Sequence, residues 1–130
     1  MDIAQQLFEK AKQIRTNAYA PYSKYLVGAA ICTTNKKIFS SCNVENVSFP
    51  CGTCAEAGAI ASMIAGGERK ISAILIVAEG KNLVYPCGAC LQRIAEFGDE
   101  QTKIYLADTE QIRKEYTLGE LLPYAFKEDI

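Results

Sequence analysis

An almost unbroken apolar run, Ile71 to Ala78, lies between two segments of helical periodicity. A strand that is apolar along its whole length is typical of one buried on both faces of a sheet. The helical segment before it begins at Cys54, and the helical segment after it follows Pro86. Strands that alternate with helices predict an α/β fold, here a three-layer α-β-α sandwich around a mixed sheet of about five strands.

Periodicity and turn residues predict the remaining elements. They are a helix over 2–18, strands over 26–32, 38–43 and 103–107, a loop over 48–53 and a helical turn over 118–122. The chain shows no linker and no internal repeat. We therefore expect a single domain over residues 1–130, a length that can bury a core of its own.

Charge and hydropathy exclude several classes of function. The net charge of −1 argues against a protein that binds nucleic acid or a membrane surface through electrostatics. No apolar run reaches the roughly 18–20 residues of a membrane-spanning helix, and the first residues lack the pattern of a signal peptide. We therefore expect a cytoplasmic protein that binds neither nucleic acid nor a membrane.

Two residue types restrict the chemistry further. Six cysteines without an export signal favour reduced thiols or metal ligands over disulfides. The chain contains no histidine, which closes every mechanism that needs an imidazole, including Ser-His-Asp hydrolysis. Any general acid or base must therefore be a carboxylate, lysine, tyrosine or cysteine.

Three cysteines lie where the two helices around the apolar strand begin. Cys54-Ala55-Glu56 opens the first helix, and Pro86-Cys87-Gly88-Ala89-Cys90 opens the second. Thiolates are strong zinc ligands, and helix N-termini favour the thiolate form. Three such ligands leave a fourth position for water, whose pKa zinc lowers toward about 7. Glu56 can reach that water only if Cys54 lies at the very start of its helix, because residues i and i+2 of a regular helix point in different directions.

The same cysteines allow a second interpretation. Cys51 and Cys54 form one CxxC pair, and Cys87 and Cys90 form another, so the four could close a structural zinc site without catalysis. The long helix and buried strand between the pairs are unlike a short zinc ribbon. A closed site would also give Glu56 no role.

Several segments together resemble the cytidine deaminase family. The pattern of Cys54-Ala55-Glu56 followed by Pro86-Cys87-Gly88-Ala89-Cys90 is similar to the zinc signature of that family. Residues 20–30, 43–46 and 121–126 resemble its PYSxFxVGAA, NxEN and C-terminal segments. The resemblance implies a cytidine deaminase-like fold, bound Zn²⁺ and the short, homotetrameric branch with three cysteine ligands. It implies hydrolytic deamination of cytidine and deoxycytidine in pyrimidine salvage.

The resemblance also implies a role for each site residue. Glu56 is the residue that transfers protons. Deamination of a modified cytosine nucleoside, such as blasticidin, stays an alternative activity. The metal ligands are Cys54, Cys87 and Cys90. Asn43 and Glu45 contact the ribose, and Tyr25 lies beside the pyrimidine. The backbone around Ala55 and Cys87 contacts the amine. Tyr22 and Phe126 line the pocket wall, and Phe126 reaches in from a neighbouring subunit.

Two positions depart from the family pattern. The short branch has arginine directly after the glutamate and directly after the last cysteine, where this chain has Ala57 and Leu91. In the family those arginines moderate the negative charge of the thiolates. Arg93 lies three residues after Cys90, so on a helix we expect it to project from the same side and point toward the thiolates of Cys87 or Cys90.

Overall fold

The structure is a computed structural model that describes residues 1–128; residues 129 and 130, the end of the domain predicted over 1–130, lie outside the described part. Its helices are α1 (Ile3–Arg15), α2 (Ala55–Ala65), α3 (Gly88–Phe97) and α4 (Leu118–Leu121). Its strands are β1 (Val27–Thr33), β2 (Ile38–Cys42), β3 (Ile71–Ala78), β4 (Lys103–Ala107) and β5 (Ile112–Thr117). A short 3-10 turn covers Phe49–Cys51. Within residues 1–128, no helix is both long and apolar enough to span a bilayer.

The five strands form one mixed sheet in the order β2-β1-β3-β4-β5. The β3–β4 pair is parallel and is joined through α3, whereas the other neighbouring pairs are antiparallel. A parallel pair needs such a crossover connection, which the helical pattern between these strands provides. The mixed five-stranded sheet that the sequence predicts is therefore confirmed.

Side chains of the central strands alternate between two separate cores. In β3, Ile74 and Ile76 pack with α2 and α3, whereas Leu75 and Val77 pack with α1 on the opposite face. Successive residues of a strand point to opposite faces, so a strand apolar at nearly every position serves both cores. Helices on both faces give the three layers that were predicted.

Two elements differ from the sequence prediction. Helix α1 ends at Arg15 instead of residue 18, because the next amides bond to carbonyls three residues back and tighten the chain into a 3-10-like turn. Strand β5 has no counterpart among the predicted strands. It is an edge strand whose central residues, Arg113, Lys114 and Glu115, are exposed, so it lacks an apolar signal.

Close packing brings helix α2 to the position that the site requires. A Cβ atom at Gly58 would collide with the side chain of Ser41 on β2, so glycine lets the helix lie directly against that strand. The N-termini of α2 and α3 then meet at the same end of the sheet, where the Cys54 and Cys90 sulfur atoms are 2.8 Å apart.

Candidate active site

A cavity of about 610 Å³ opens where α2 and α3 begin. This volume is within the range of pockets that bind small molecules. The walls come from the segment before β1, the segment after β2 and the first residues of both helices. Of the predicted site residues, the cavity lining includes Tyr22, Tyr25, Asn43, Glu45, Cys54, Ala55, Glu56, Cys87 and Cys90.

The start of α2 places Cys54 and Glu56 in the same pocket. Cys54 is the N-cap residue, with an extended backbone at φ −77° and ψ 159°, and regular helical geometry begins at Ala55. The usual divergence of residues i and i+2 on a helix therefore does not apply to this pair. The expectation that Cys54 lies at the very start of the helix is confirmed.

The ligand atoms of Cys54, Glu56 and Cys90 all lie within 4.8 Å of one another, close enough to surround a metal ion. Cys87 is the exposed N-cap residue of α3, and it lines the same cavity without belonging to this tight group. Converging thiols beside a carboxylate are a donor set that suits zinc. The residues present therefore fit a zinc ion, and the Cys87 thiol belongs to a residue that lines the same cavity.

The protein environment separates the proton affinities of the acidic groups. The hydrogen bond between the Cys54 and Cys90 sulfur atoms lowers the pKa of Cys54 to about 6, and the amide of Ala57 assists. The pKa of Cys90 is raised, first by that same hydrogen bond and then by burial. Glu56 is only 5% exposed. Its burial raises the pKa of the carboxyl group, and the neighbouring Cys54 charge raises it further.

Arg93 lies over the sulfur pair. Its Nη1 atom is 3.4 Å from Cys90 Sγ and 3.9 Å from Cys54 Sγ. Such contacts from a guanidinium to thiolates are charge-assisted hydrogen bonds. The expectation that Arg93 points toward the thiolates is confirmed for Cys90, and the structure adds Cys54 as a second neighbour.

Glu45 and Asn43 are held by the chain segment that precedes β1. Glu45 accepts hydrogen bonds from the amides of Tyr22 and Ser23, each 3.1 Å long, and from the Ser23 hydroxyl. These bonds, above all that from the hydroxyl, lower the pKa of Glu45. Asn43 accepts from the Val27 amide at 2.9 Å and donates to the Tyr25 carbonyl at 2.8 Å. Both side chains are thereby fixed at the cavity.

Ser23 is a functional candidate that the sequence reasoning did not single out. It lies in the segment that resembles the family pattern, but its contact is with Glu45, 22 residues away. Spacing along the chain carries no signal for such a contact between loops. Only the resemblance of both segments to one family could have suggested it.

The remaining predicted contact residues take two different positions. Tyr22 and Tyr25 stand partly exposed in the cavity wall, and Ala55 is buried at its base. Phe126 is outside the lining of this cavity and is 77% exposed. Its backbone is held to α3 by two hydrogen bonds with the Gln92 side chain, of 3.0 and 3.2 Å.

The other cysteines lie apart from the sulfur pair. Cys32 is buried in the core beside α1, Cys42 is half-buried on β2, and Cys51 is exposed. Cys51 is absent from the cavity lining, whereas the Glu56 carboxylate is part of it. This arrangement favours an open site with a carboxylate over a closed site of four cysteines.

Fold and site define the chain as a metal-binding enzyme in which two helix N-termini present thiols and a buried carboxylate to one cavity. The family described as cytidine and deoxycytidylate deaminase zinc-binding region matches residues 1–106. A cytidine deaminase from Sporosarcina psychrophila is 40% identical over 131 residues, covering 100% of this chain and 96% of the relative. The chain belongs to the cytidine and deoxycytidylate deaminase family, and zinc is its metal.

Solved structures and a more distant relative agree with this assignment. The crystal structure of cytidine deaminase from Burkholderia pseudomallei superimposes with a TM-score of 0.88 at 41% identity, over 97% of this chain and 100% of that one. The blasticidin-S deaminase of Bacillus cereus is 28% identical over 129 residues, 93% of this chain and 90% of the relative. The family resemblance and the fold class inferred from the sequence are thereby confirmed.

Proposed function

We propose that this enzyme converts cytidine and deoxycytidine, with water, to uridine and deoxyuridine plus ammonia, as a step of pyrimidine salvage. The observation that carries the proposal is the buried Glu56 carboxylate, which shares a cavity with the Cys54–Cys90 sulfur pair. The relatives named cytidine deaminase support the choice of substrate.

Glu56 is the proton carrier of the proposed reaction. Cys54, Cys87 and Cys90 would hold the zinc ion, which would supply Lewis-acid activation of water. Glu56 accepts a proton from the attacking water, delivers a proton to N3 of the ring and later protonates the departing amine. Glu56 takes the second proton from the new C4 hydroxyl group, so that the C4–O bond becomes the carbonyl of the product while the C4–N bond breaks. The proton on N3 stays in uridine, and the hydroxyl proton leaves with ammonia. A carboxyl group whose pKa is raised by burial suits both halves of this transfer.

The opposite side of the cavity holds the sugar and the ring in this proposal. Glu45 and Asn43 bind the ribose hydroxyl groups, for which each retains hydrogen-bonding capacity beyond its contacts within the chain. Tyr25 lies beside the pyrimidine, and the backbone around Ala55 and Cys87 orients the amine. Because Glu45 and Asn43 are already fixed, binding loses little side-chain entropy.

We expect Ser23→Ala to raise the KM for cytidine with little change in kcat. The Ser23 hydroxyl holds the Glu45 carboxylate in place and lowers its pKa, so its loss should move that pKa back up toward the ordinary value. The expected increase in KM is about threefold to tenfold, the effect of roughly one net hydrogen bond. Steady-state kinetics and a carboxyl NMR titration measure the two effects.

Ser62→Ala is the matched control, since Ser62 is exposed on α2. It should leave both KM and the Glu45 titration unchanged. A Ser23→Ala enzyme with the wild-type KM would show that Glu45 does not depend on this contact.

The experiment that tests the proposed function follows the ultraviolet absorbance of cytidine incubated with the zinc-loaded protein. The spectrum should change to that of uridine, and removal of zinc by a chelator should stop the change. Blasticidin S in a parallel assay tests the alternative, which the Bacillus cereus relative motivates. Conversion of blasticidin S alone would replace the substrate proposed here, and no conversion of either compound would contradict the function.

We also propose that the enzyme is a cytoplasmic homotetramer. Tyr124 and Phe126 are 94% and 77% exposed, and the Gln92 contacts hold this aromatic segment against α3, where a neighbouring subunit can cover it. None of the six cysteines, all of which lie in the described part of the chain, forms a disulfide, which suits a reducing compartment. Sedimentation of the active enzyme tests the assembly, and a fully active monomer would contradict it.

A further inference from the structure

With zinc bound, the end of the cavity that holds Cys54, Cys87 and Cys90 would carry an excess of negative charge. Three thiolate ligands would bring three negative charges against the two positive charges of zinc, and Glu56 would add another when ionised. The partial positive charges of the two helix N-termini are about half a charge each and offset part of the excess. A charged donor beside the sulfur atoms would offset more of it.

Arg93 is placed to be that donor. In the part of the chain that the structure describes, no other lysine or arginine donates a hydrogen bond to a cysteine sulfur. The other arginines near acidic groups are engaged elsewhere: Arg15 with Glu79 and the Leu26 carbonyl, and Arg113 with Asp108 and Glu110. The Arg93 guanidinium contacts both sulfur atoms of the closely spaced pair.

The arrangement of the two helices explains why this contact comes from α3. Arg93 is three residues after Cys90, on the same face of its helix. The corresponding position on α2, three residues after Cys54, is Ala57, which offers only its backbone amide to the Cys54 sulfur. Leu91, the residue directly after Cys90, is 8% exposed and packs in the core. Its apolar side chain cannot donate a hydrogen bond to the sulfur atoms.

We propose that Arg93 is a positioning residue for the metal centre, whose guanidinium offsets the negative charge of the Cys90 and Cys54 thiolates and so strengthens the retention of zinc. The proposal rests on the zinc site of the proposed function. It concerns a residue outside the cavity lining, which acts through the ligands and not on the nucleoside. Because Arg93 is largely exposed, its contribution is screened by salt.

Two measurements that are independent of catalysis test the proposal. The first is the rate at which zinc passes from the protein to an excess of chelator, at low and high salt. The second is the thiolate-to-metal charge-transfer band of the protein loaded with Co²⁺, whose energy reports the electron density on sulfur. The variants are Arg93→Gln, Arg93→Lys, and Arg93→Gln combined with Ala57→Arg. Arg113→Gln is the matched control, because it removes the same charge from a distant ion pair.

For Arg93→Gln we expect zinc release about tenfold faster at low salt, the effect of one hydrogen bond to a charged group. The charge-transfer band should move to longer wavelength, because the sulfur electrons are held less tightly. The rate of zinc release should also depend less on salt concentration than in the wild-type protein. Arg93→Lys should recover part of the slow release, and the added Ala57→Arg should do the same from the other helix, whereas Arg113→Gln should behave as wild type.

The proposal is overturned if Arg93→Gln releases zinc at the wild-type rate with an unshifted band, or if Arg113→Gln accelerates release equally. Failure of the proposed function gives a different result. In that case the wild-type protein itself would hold no zinc or would not deaminate cytidine, whatever residue occupies position 93.

Discussion

Glu56→Gln is expected to lower kcat by at least about 10²–10⁴-fold while leaving the zinc content and the fold intact. General acid–base groups are typically worth that much for a single proton transfer, and Glu56 is proposed to serve in several. The amide has nearly the shape of the carboxyl group, but it cannot accept a proton from water. Kinetics, metal analysis and thermal unfolding of the same preparation measure the three properties.

Glu68→Gln is the matched control for Glu56→Gln. Glu68 is also a buried carboxylate, 7% exposed, but its contacts are with Asn35 and Lys37, away from the cavity. This variant should retain kcat, even if its stability falls. A Glu56→Gln enzyme that kept a third of the wild-type kcat would remove Glu56 from the mechanism.

The second large effect is expected from the cysteines. Cys90→Ser and Cys87→Ser should each lose zinc and stability together, because metal-binding free energy contributes to the stability of the folded state. The zinc content measured by metal analysis should fall from about one ion per chain toward zero. For Cys90 the loss is reinforced by its burial, since the hydroxyl replaces a sulfur packed against Cys54.

Cys51→Ser provides the control from the same chain. Cys51 is exposed and outside the cavity lining, so this variant should keep its zinc, its stability and its activity. Loss of zinc in Cys51→Ser would instead support the closed site of four cysteines. Retention of zinc in Cys87→Ser would exclude Cys87 from the ligand set.

Much of the central fold could be predicted because buried elements have a characteristic pattern of apolar residues in the sequence. The strand Ile71–Ala78 has the predicted bounds, since a strand that serves cores on both faces is apolar at nearly every position. Strand β5 could not be predicted in this way, because an edge strand with exposed Arg113 and Glu115 lacks an apolar pattern. Its place depends on pairing with β4.

The site was predictable where it depends on local helix geometry. The need for Cys54 and Glu56 to share a pocket required an N-cap position for Cys54, and helical spacing placed Arg93 beside Cys90. Contacts between distant segments were not predictable from spacing. Two such contacts are the hydrogen bonds of Ser23 with Glu45 and of Gln92 with the backbone of Phe126. Each joins residues more than twenty positions apart.

In the proposed reaction, water adds to C4 of cytidine in this cavity and ammonia is released. The most direct measurement is mass spectrometry of the product formed by the zinc-loaded protein in ¹⁸O-labelled water, with uridine incubated alone as a control for exchange. We expect uridine that carries ¹⁸O as its C4 oxygen, together with an equal amount of ammonia. Cytidine recovered unchanged, or uridine without the label, would contradict it.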